Sequence, residues 1–435
     1  MSNMKSIEVF DGNSLQYLPV PYPVTNPVCA FEGISQNGAR LYVPLDENLL
    51  SRHMLILGGI GTGKTNAFIQ IMRQLIQMPR APRRLTPDDV VIVFDTKGDF
   101  YKEFYRPGDI VISNDQTATG PNGPDYWNIF NEVERGDRME ETISEITKTL
   151  FAQRIEKTNQ PFFPNAAKDL LSAIITHLAN EGNNEALRAF LDKSPTAEIR
   201  EMLKSHPQFA AMVSYIADDR SPQTQGVMSE LQQQVREIFI GNFKKKGTLS
   251  IQQAVRNKGG RIIFIEYDIG VGKALTPVYS LLFDLAIKEA LSRERSQGNV
   301  YFIVDEFSLL PNLQHIDDAV NFGRSLGVKF MIGLQNIDQM YDNYGEYRAR
   351  NILSGFLTSV CFRVNDVTSR QYIKELHGGN RKKEVYMASV AGRGIVENVR
   401  DANVVEDWDI SHLGIGQAIV GLPGAEPFVF RFTKS

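Results

Sequence analysis

The sequence has few cysteines and lacks any long apolar run. Cys29 and Cys361 are the only cysteines among its 435 residues, and they lie far apart without metal-ligand spacing. Reduced thiols are therefore expected. No segment approaches the roughly 18–20 apolar residues that cross a bilayer. The first residues, MSNMKSIEVFDGNS, lack the apolar core of a signal peptide. We expect a cytoplasmic protein with no intrinsic transmembrane segment.

An excess of basic residues is also absent. Lys and Arg number 47 against 51 Asp and Glu, so the net charge is −4. A nucleic-acid partner would therefore need a local basic surface. The composition, 42% hydrophobic and 23% charged, is that of a globular protein, and the length allows two or three domains.

Short β-branched runs alternate with helical stretches along most of the chain. Continuous apolar runs of this kind predict a mostly parallel sheet covered on both faces, an α/β fold. The predicted strands are HMLILG 53–58, VVIVFD 90–95, DIVIS 109–113, RIIFIEYD 261–268, VYFIVDE 300–306, KFMIGLQ 329–335 and SVCFRV 359–364. Residues 418–432 predict a hairpin that turns at Pro423-Gly424, and residues 36–45 predict a further hairpin strand.

Residues 134–258 differ from the rest because they offer helical periodicity and no convincing strand. We interpret them as an all-α insertion that leaves and rejoins the sheet. The predicted domains are an N-terminal segment 1–50, a nucleotide-binding core in two parts, 51–133 and 259–435, and the insertion 134–258 between those parts.

One motif carries the strongest chemical prediction. GGIGTGKT, residues 58–65, satisfies G-x-x-x-x-G-K-[ST] between a predicted strand and a predicted helix. Glycines allow backbone N–H groups to converge on phosphate oxygens, and the helix start adds its positive end. Lys64 would reach the β- and γ-phosphates, and the hydroxyl of Thr65 would hold Mg²⁺. The residues predicted to bind nucleotide are Gly58, Gly59, Ile60, Gly61, Thr62, Gly63, Lys64, Thr65 and Asn66.

A pair of acidic residues supplies the second half of such a site. Val300 to Val304 form a predicted buried strand, and Asp305 and Glu306 follow it directly. Asp305 would bind Mg²⁺ through water, and Glu306 would polarise the attacking water. The alternative is a strand that merely ends in two solvated acids.

Two further residues are candidates because of their spacing after Asp305. Arg324 follows within AVNFGRSLGVKF, and Gln335 ends the next predicted strand. Arg324 could act across a subunit boundary as an arginine finger, and Gln335 could sense the γ-phosphate. The simpler alternatives are a surface arginine before a glycine turn and a capped strand end.

A competing interpretation treats DTKG 95–98 as the D-x-x-G motif of small GTPases. Such a protein should also carry N-K-x-D, and NKGG 257–260 lacks the aspartate. One short motif is weak evidence, so a GTPase is disfavoured.

Several segments together resemble the type IV coupling proteins of bacterial conjugation, within the FtsK/HerA superfamily of RecA-like pumps. The resemblance covers about residues 50–425 and rests on DTKGDF, YWNIF, NQPFFPNAAKDLL, VDEFSLLP, GRSLGV, GLQNIDQMY and DISHLGIGQAIV. It implies a RecA-like P-loop NTPase core, an all-α domain beginning near residue 159, ATP and Mg²⁺ as cofactors, and a homo-hexameric ring that moves DNA. It assigns Lys64, Thr65, Asp305, Glu306, Arg324 and Gln335 the roles given above.

Members of that family begin with two transmembrane helices, which this sequence lacks. Attachment to the inner membrane would therefore come through membrane-bound secretion or relaxosome proteins. The main hypothesis is an ATP-driven motor that translocates DNA, with single-stranded DNA as the expected substrate. The alternatives are an ATPase receptor that recruits protein or protein–DNA substrates to a secretion channel, and a HerA-like repair or defence ATPase.

Three short segments are candidates for contact with DNA. They are FKKKG 243–247, RKK 381–383 and the glycine-containing loop IGVGKA 269–274. Runs of lysine are also common on ordinary solvated surfaces, so both interpretations stay open at this stage. A ring of copies would multiply a few charges per subunit, so the net charge does not exclude DNA.

Overall fold

The computed structural model of the chain describes residues 4–76, 85–114, 119–120, 123–180, 182–292, 297–387 and 395–434. The strands are β1 (Met4–Asp11), β2 (Cys29–Ile34), β3 (Arg40–Leu45), β4 (Met54–Leu57), β5 (Val90–Asp95), β6 (Ile110–Ile112), β7 (Thr119–Gly120), β8 (Gly123–Pro124), β9 (Arg261–Glu266), β10 (Val300–Val304), β11 (Val328–Leu334), β12 (Thr358–Phe362), β13 (Gly379–Met387), β14 (Ile395–Asn403), β15 (Gln417–Gly421) and β16 (Phe428–Arg431).

The helices lie mostly between these strands. They are α1 (Glu47–Leu50), α2 (Lys64–Ile76), α3 (Asp99–Phe104), α4 (Met139–Lys157), α5 (Phe162–Leu178), α6 (Asn184–Lys193), α7 (Thr196–Ser205), α8 (Pro222–Ile238), α9 (Ile251–Asn257), α10 (Gly272–Ala290), α11 (Ile316–Phe322), α12 (Asp338–Tyr344), α13 (Glu346–Ser354), α14 (Val367–His377) and α15 (Asp407–Ser411). Among the described residues, no helix is long and apolar enough to span a membrane.

The chain folds into two compact units. The first unit comprises Met1–Arg84, Phe302–Ser308 and Lys329–Ser435, and the second comprises Leu85–Tyr301 and Leu309–Val328. The chain thus passes from one unit to the other within β10 and again within β11. The domain boundaries inferred from the sequence follow secondary structure instead of these units, and they remain a proposal.

In the first unit, a sheet with the strand order β16-β15-β12-β4-β11-β10 carries the site. β4 pairs in parallel with β11 and with β12, whereas β15 and β16 are antiparallel. Every residue of β4, β11 and β12 is buried, as their continuous apolar runs predict. Leu57 lies opposite both Leu334 and Cys361, so the loop after β4 starts where β11 and β12 also end.

In the second unit, β5, β9 and β6 form parallel pairs, with β9 between the other two. Among the described residues between 134 and 258 of this unit, helices joined by turns are the regular elements, as the periodicity predicted, and Leu249 forms an isolated bridge. α5 is apolar on the face that packs against α4 and α8. The α/β fold with a mostly parallel sheet is confirmed, and so is the hairpin of β15 and β16.

One small sheet of the first unit was not predicted. β13 pairs antiparallel with both β1 and β14. β2 and β3 form a separate antiparallel hairpin, and β3 corresponds to the strand predicted within residues 36–45.

Candidate functional site

The phosphate loop predicted at residues 58–65 connects β4 to α2. The Gly58 amide donates to the Leu334 carbonyl at 3.0 Å, and the Gly59 amide donates to the Arg363 carbonyl at 2.9 Å. These bonds fix the start of the loop to the ends of the two neighbouring strands. Gly61 and Gly63 have φ angles of 71° and 118°, a region that side chains with a Cβ avoid.

Close packing also requires glycine in this loop. A Cβ on Gly58 would lie 2.6 Å from the Cβ of Phe362, and one on Gly63 would lie 3.2 Å from the ring of Phe362. Thr62 closes the turn, because its hydroxyl donates to the Gly59 carbonyl at 2.8 Å. The loop can therefore adopt this conformation only with glycine at positions 58 and 63, the two glycines that the motif specifies.

Lys64 begins α2 and turns back over the loop. Its Nζ donates to the Gly58 carbonyl at 2.5 Å and to the Gly59 carbonyl at 3.2 Å, and the side chain is buried. Loop carbonyls thus hold the ammonium group next to the backbone that would surround a phosphate. Ile60, by contrast, is 85% exposed at the tip of the loop.

Thr65 and Asp305 meet directly. The Thr65 hydroxyl donates to Oδ2 of Asp305 at 2.9 Å, and Asp305 is buried at the end of β10. Hydroxyl and carboxylate oxygens are ligands that Mg²⁺ takes. These two residues therefore fit a shared Mg²⁺ ion, as the sequence predicts.

Glu306 is held by two side chains. Gln335 Nε2 donates to Glu306 Oε2 at 2.5 Å, and the Ser308 hydroxyl donates to Glu306 Oε1 at 2.6 Å. Glu306 is half-buried, so its carboxylate is fixed in orientation without being sealed from water. The first unit thus brings together the phosphate loop, both acidic residues and Gln335.

Two other predicted site residues have different surroundings. Asn66 donates from Nδ2 to the Thr433 carbonyl at 2.8 Å, so its side chain binds the C-terminal segment. Nothing in the sequence indicated this contact. Arg324 is exposed in the 3₁₀ turn Gly323–Leu326 of the second unit. Its proposed action on a neighbouring subunit stays a prediction.

Sequence reasoning missed three residues that support the site. The Gly416 amide donates to the Thr62 carbonyl at 2.9 Å, and Phe362 packs over Gly58 and Gly63. A Cβ on Gly333 would lie 2.1 Å from the Asp305 carbonyl oxygen, so only glycine allows β11 to pass that close. The glycine within β11 was the one available sequence signal.

Asp95, which begins the D-x-x-G segment, has a structural role in the second unit. Its carboxylate accepts hydrogen bonds from the amides of Lys97, Gly98 and Tyr101 at 2.8–3.2 Å. Burial raises the pKa of Asp95, and these amide bonds partly offset the rise. The carboxylate thus shapes its own turn, and the GTPase interpretation gains no support.

The basic triplet RKK 381–383 is neutralised by neighbouring acidic residues. Arg381 pairs with Asp401 at 3.2 Å, Lys383 pairs with Glu397 at 2.8 Å, and the buried Lys382 lies 3.3 Å from Glu406. This pairing reduces the positive charge available to DNA, so the triplet is a poor candidate for contact.

Comparison with known proteins agrees with this geometry. The family model described as type IV secretion-system coupling protein DNA-binding domain matches residues 39–421. Coupling protein TraD of Escherichia coli (strain K12) is 23% identical over 415 residues, which cover 89% of this chain and 53% of TraD. The type IV secretion system-coupling protein VirD4 of Bartonella quintana (strain Toulouse) is 20% identical over 69% of this chain and 49% of VirD4. The chain thus spans about half the length of these curated relatives.

Solved structures show the same fold. The unbound monoclinic form of the bacterial conjugative coupling protein TrwBdeltaN70 has a TM-score of 0.72 at 20% identity, over 93% of this chain and 88% of that one. The plasmid coupling protein TrwB in complex with ADP and Mg²⁺ has a TM-score of 0.69 at 21% identity, over 90% and 87% of the two chains. The RecA-like fold class predicted from the sequence is confirmed by these matches.

Proposed function

This chain belongs to the family of the type IV secretion-system coupling protein DNA-binding domain, and from that premise we propose that it is an ATP-hydrolysing ring motor. The motor would bind DNA and translocate it during conjugative transfer or type IV secretion. ATP with Mg²⁺ would be its cofactor, in line with the ADP–Mg²⁺ complex of TrwB, whose fold it shares.

The observation that carries the proposal is the contact between Thr65 and Asp305. It joins the phosphate loop to the end of β10, where Glu306 is the next residue. The residue proposed to bind phosphate, the two proposed Mg²⁺ ligands and the proposed general base therefore lie within one unit. Simple nucleotide binding does not need a base, so this combination favours hydrolysis.

Each residue has a distinct role in the proposed reaction. The glycine-rich backbone and Lys64 would bind the β- and γ-phosphates, and Thr65 and Asp305 would hold Mg²⁺. When bound, Mg²⁺ neutralises charge that develops on the phosphate oxygens. Glu306 would orient the attacking water and accept its proton, while Ser308 and Gln335 hold the carboxylate in place.

Gln335 is also suited to report the state of the nucleotide. It donates to Glu306, so a change at the γ-phosphate that moves Glu306 would reach the end of β11 through this bond. We propose that Arg324 acts on the site of a neighbouring subunit in a homo-hexamer, where it would stabilise charge in the transition state.

The second candidate is a receptor that recruits protein or protein–DNA substrates to a secretion channel. The helices between residues 134 and 258 favour it, since they form a large surface that nucleotide binding does not require. In either case, a membrane-bound secretion or relaxosome protein is a proposed partner at the inner membrane. A HerA-like repair or defence ATPase is a further alternative that uses the same core.

The deciding experiment measures ATPase rate with and without single-stranded and duplex DNA, together with the mass in solution. A motor should be stimulated by DNA in a salt-dependent way, because phosphate contacts release counterions. ATPase activity indifferent to DNA, with tight binding of a protein substrate, would favour the receptor instead.

A variant at the phosphate loop tests the chemistry itself. Lys64→Ala should abolish nucleotide binding, measured with a fluorescent ATP analogue. Lys204→Ala is the matched control, because Lys204 is an exposed lysine that pairs with the exposed Glu201. An unchanged ATPase rate in Lys64→Ala would remove the phosphate loop from the mechanism.

A further inference from the structure

Two of the three sequence candidates for DNA contact lie in the second unit and are connected there. We call residues 241–248, which include the three lysines of FKKKG, the lysine loop. We call residues 268–272, which follow β9 and include Ile269, the isoleucine loop. They include the sequence candidate FKKKG 243–247 and the first residues of the candidate IGVGKA 269–274, and the structure joins them.

The lysine loop is anchored on both sides of its lysines. The Asn242 amide donates to the Asn114 carbonyl at 2.8 Å, and Phe243 is buried with its ring 6.1 Å from that of Trp127. After the lysines, a Cβ on Gly247 would lie only 1.9 Å from the Tyr126 carbonyl oxygen. The Thr248 amide then donates to Asp125 at 2.7 Å. These contacts fix the loop backbone and leave the lysines on its outer side.

Lys244, Lys245 and Lys246 are all exposed. Lys245 donates to Asn242 Oδ1 at 2.8 Å and lies 4.6 Å from the centre of the Tyr126 ring, and both of these partners are neutral. In the part of the chain that the structure describes, no carboxylate forms an ion pair with any of the three. This distinguishes them from the triplet 381–383, whose members each have an acidic partner.

The two loops are linked through two separate paths. Asn114, which holds the lysine loop, donates from Nδ2 to Asp268 Oδ2 at 2.8 Å. The Phe243 ring also lies 6.1 Å from the Tyr279 ring, and the Tyr279 hydroxyl accepts a hydrogen bond from the Asp268 amide at 3.0 Å. These contacts make the lysine loop and the isoleucine loop neighbours in the second unit, and the surface that the two loops form carries the exposed lysines and Ile269.

The isoleucine loop presents apolar side chains on this surface. The Gly270 and Val271 amides donate to Asp268 Oδ1 at 2.8 and 3.2 Å, which curls the loop so that Ile269 points outward and is 79% exposed. Val271 in the same loop is 37% exposed, so two apolar side chains lie next to each other on this turn. Asp268 and Asp125 bring negative charge to the surface, but backbone amides already occupy both.

We propose that the lysine loop and the isoleucine loop together bind single-stranded nucleic acid. Lys244, Lys245 and Lys246 contact phosphates, and Ile269 packs against unpaired bases. This inference rests on the proposed DNA-binding function and places its contact surface. Single strands fit better than duplex because their bases expose apolar faces that a duplex keeps stacked inside.

The test measures binding of a fluorescent 30-residue oligothymidylate by anisotropy between 50 and 200 mM salt. The triple variant K244Q/K245Q/K246Q should have a slope of log K against log salt that is shallower by about 2. The ratio of the affinity of the unmodified chain to the affinity of the triple variant should therefore fall about 20-fold between 50 and 200 mM salt. The matched control, R381Q/K383Q, should retain the original slope.

A second variant tests the apolar part of the surface. Ile269→Ala should weaken binding of oligothymidylate by about 5-fold and leave duplex binding nearly unchanged. Equal losses for duplex and single strand would overturn the assignment to unpaired bases. Thermal unfolding and binding of an ATP analogue should match the unmodified chain in every variant, which excludes misfolding as the cause.

The outcomes separate this inference from the proposed function. If the unmodified chain binds DNA and the triple lysine variant binds with the same affinity and slope, the two loops are not the contact surface, although the motor proposal survives. If the unmodified chain binds neither single-stranded nor duplex DNA at any salt concentration, the DNA-binding function itself fails, and this inference fails with it.

Discussion

Gln335 donates a 2.5 Å hydrogen bond to Glu306, and this bond links the ends of β11 and β10 at the proposed catalytic site. The carboxylate accepts a second bond from Ser308 at its other oxygen. A general base must be oriented as well as basic, because a proton is transferred only over hydrogen-bond distance. The two bonds supply that orientation.

Glu306→Gln should leave ATP bound but uncleaved. The amide keeps the shape of the side chain and cannot accept a proton from water, so the ATPase rate should fall by about 10²–10⁴-fold. Single-turnover hydrolysis and binding of an ATP analogue measure the two effects separately. Glu346→Gln, at an exposed glutamate, is the control. Normal turnover in Glu306→Gln would place the base elsewhere.

Arg324→Ala should lower ATPase activity by about 10³-fold or more if Arg324 acts on the neighbouring subunit. Subunits with Arg324→Ala mixed with subunits carrying Lys64→Ala should regain part of the activity, because an intact loop then meets an intact arginine. The control mixes Arg220→Ala, at another exposed arginine, with Lys64→Ala. Failure to recover at any ratio would count against a shared site.

Gly333→Ala should displace the backbone around Asp305. Its Cβ would lie 2.1 Å from the Asp305 carbonyl oxygen, so β11 or β10 must shift. We expect a loss of stability of about 1–3 kcal/mol and a lower ATPase rate in the protein that remains folded. Gly379→Ala is the control, because the nearest atom to its Cβ would be 3.3 Å away. Urea unfolding and ATPase assays would show whether both effects occur together.

The stability of the second unit should depend on pH through His315. Its Nδ1 lies 3.1 Å from Asp284 and its Nε2 lies 3.2 Å from Glu145, so both ring nitrogens face carboxylates. Burial lowers the pKa of His315, but the hydrogen bond and charge of Asp284 and the charge of Glu145 outweigh burial. The net pKa is raised above its ordinary value of 6.5, although Lys288 on the same helix as Asp284 opposes the rise.

The sign of this effect follows from proton binding. The folded chain holds the His315 proton more tightly than the unfolded chain, so the stabilisation is fully present below pH 6.5. It is lost as the pH rises through the higher, folded-state pKa. His315→Asn should therefore be most destabilising at low pH, and the loss of stability that it causes should become smaller toward high pH. Thermal unfolding from pH 5.5 to 8.5 measures this, with His412→Asn, at an exposed histidine, as the control. A deficit independent of pH would show that folding does not shift the pKa of His315.

The sequence predicted the parts of the site that depend on local pattern. Buried strands read as continuous apolar runs, and the loop from Gly58 to Thr65 is a contiguous motif, so both could be located without a structure. The proximity of Thr65 to Asp305 was expected because both residues were predicted to hold Mg²⁺. These predictions needed only the order of residues and the period of their side chains.

The parts that sequence reasoning missed depend on contacts between distant residues. β13 is rich in charge and lacks an apolar alternation, and its partner β1 is more than 360 residues away (379 − 11 = 368). The role of Gly416 depends on one backbone bond to Thr62. The neutralisation of Arg381 and Lys383 depends on which acidic residues lie across the β13–β14 pair. No local pattern specifies such partners.

The discontinuity of the first unit has a consequence for synthesis on the ribosome. β4 is made 271 residues before its neighbour β11 begins (328 − 57), and at about 5–20 residues per second this interval lasts roughly 15–55 s. During that time the wholly apolar stretch Met54–Leu57 has neither of its sheet partners. Nascent chains should therefore need a chaperone at this stage, whereas much of the second unit can fold while translation continues.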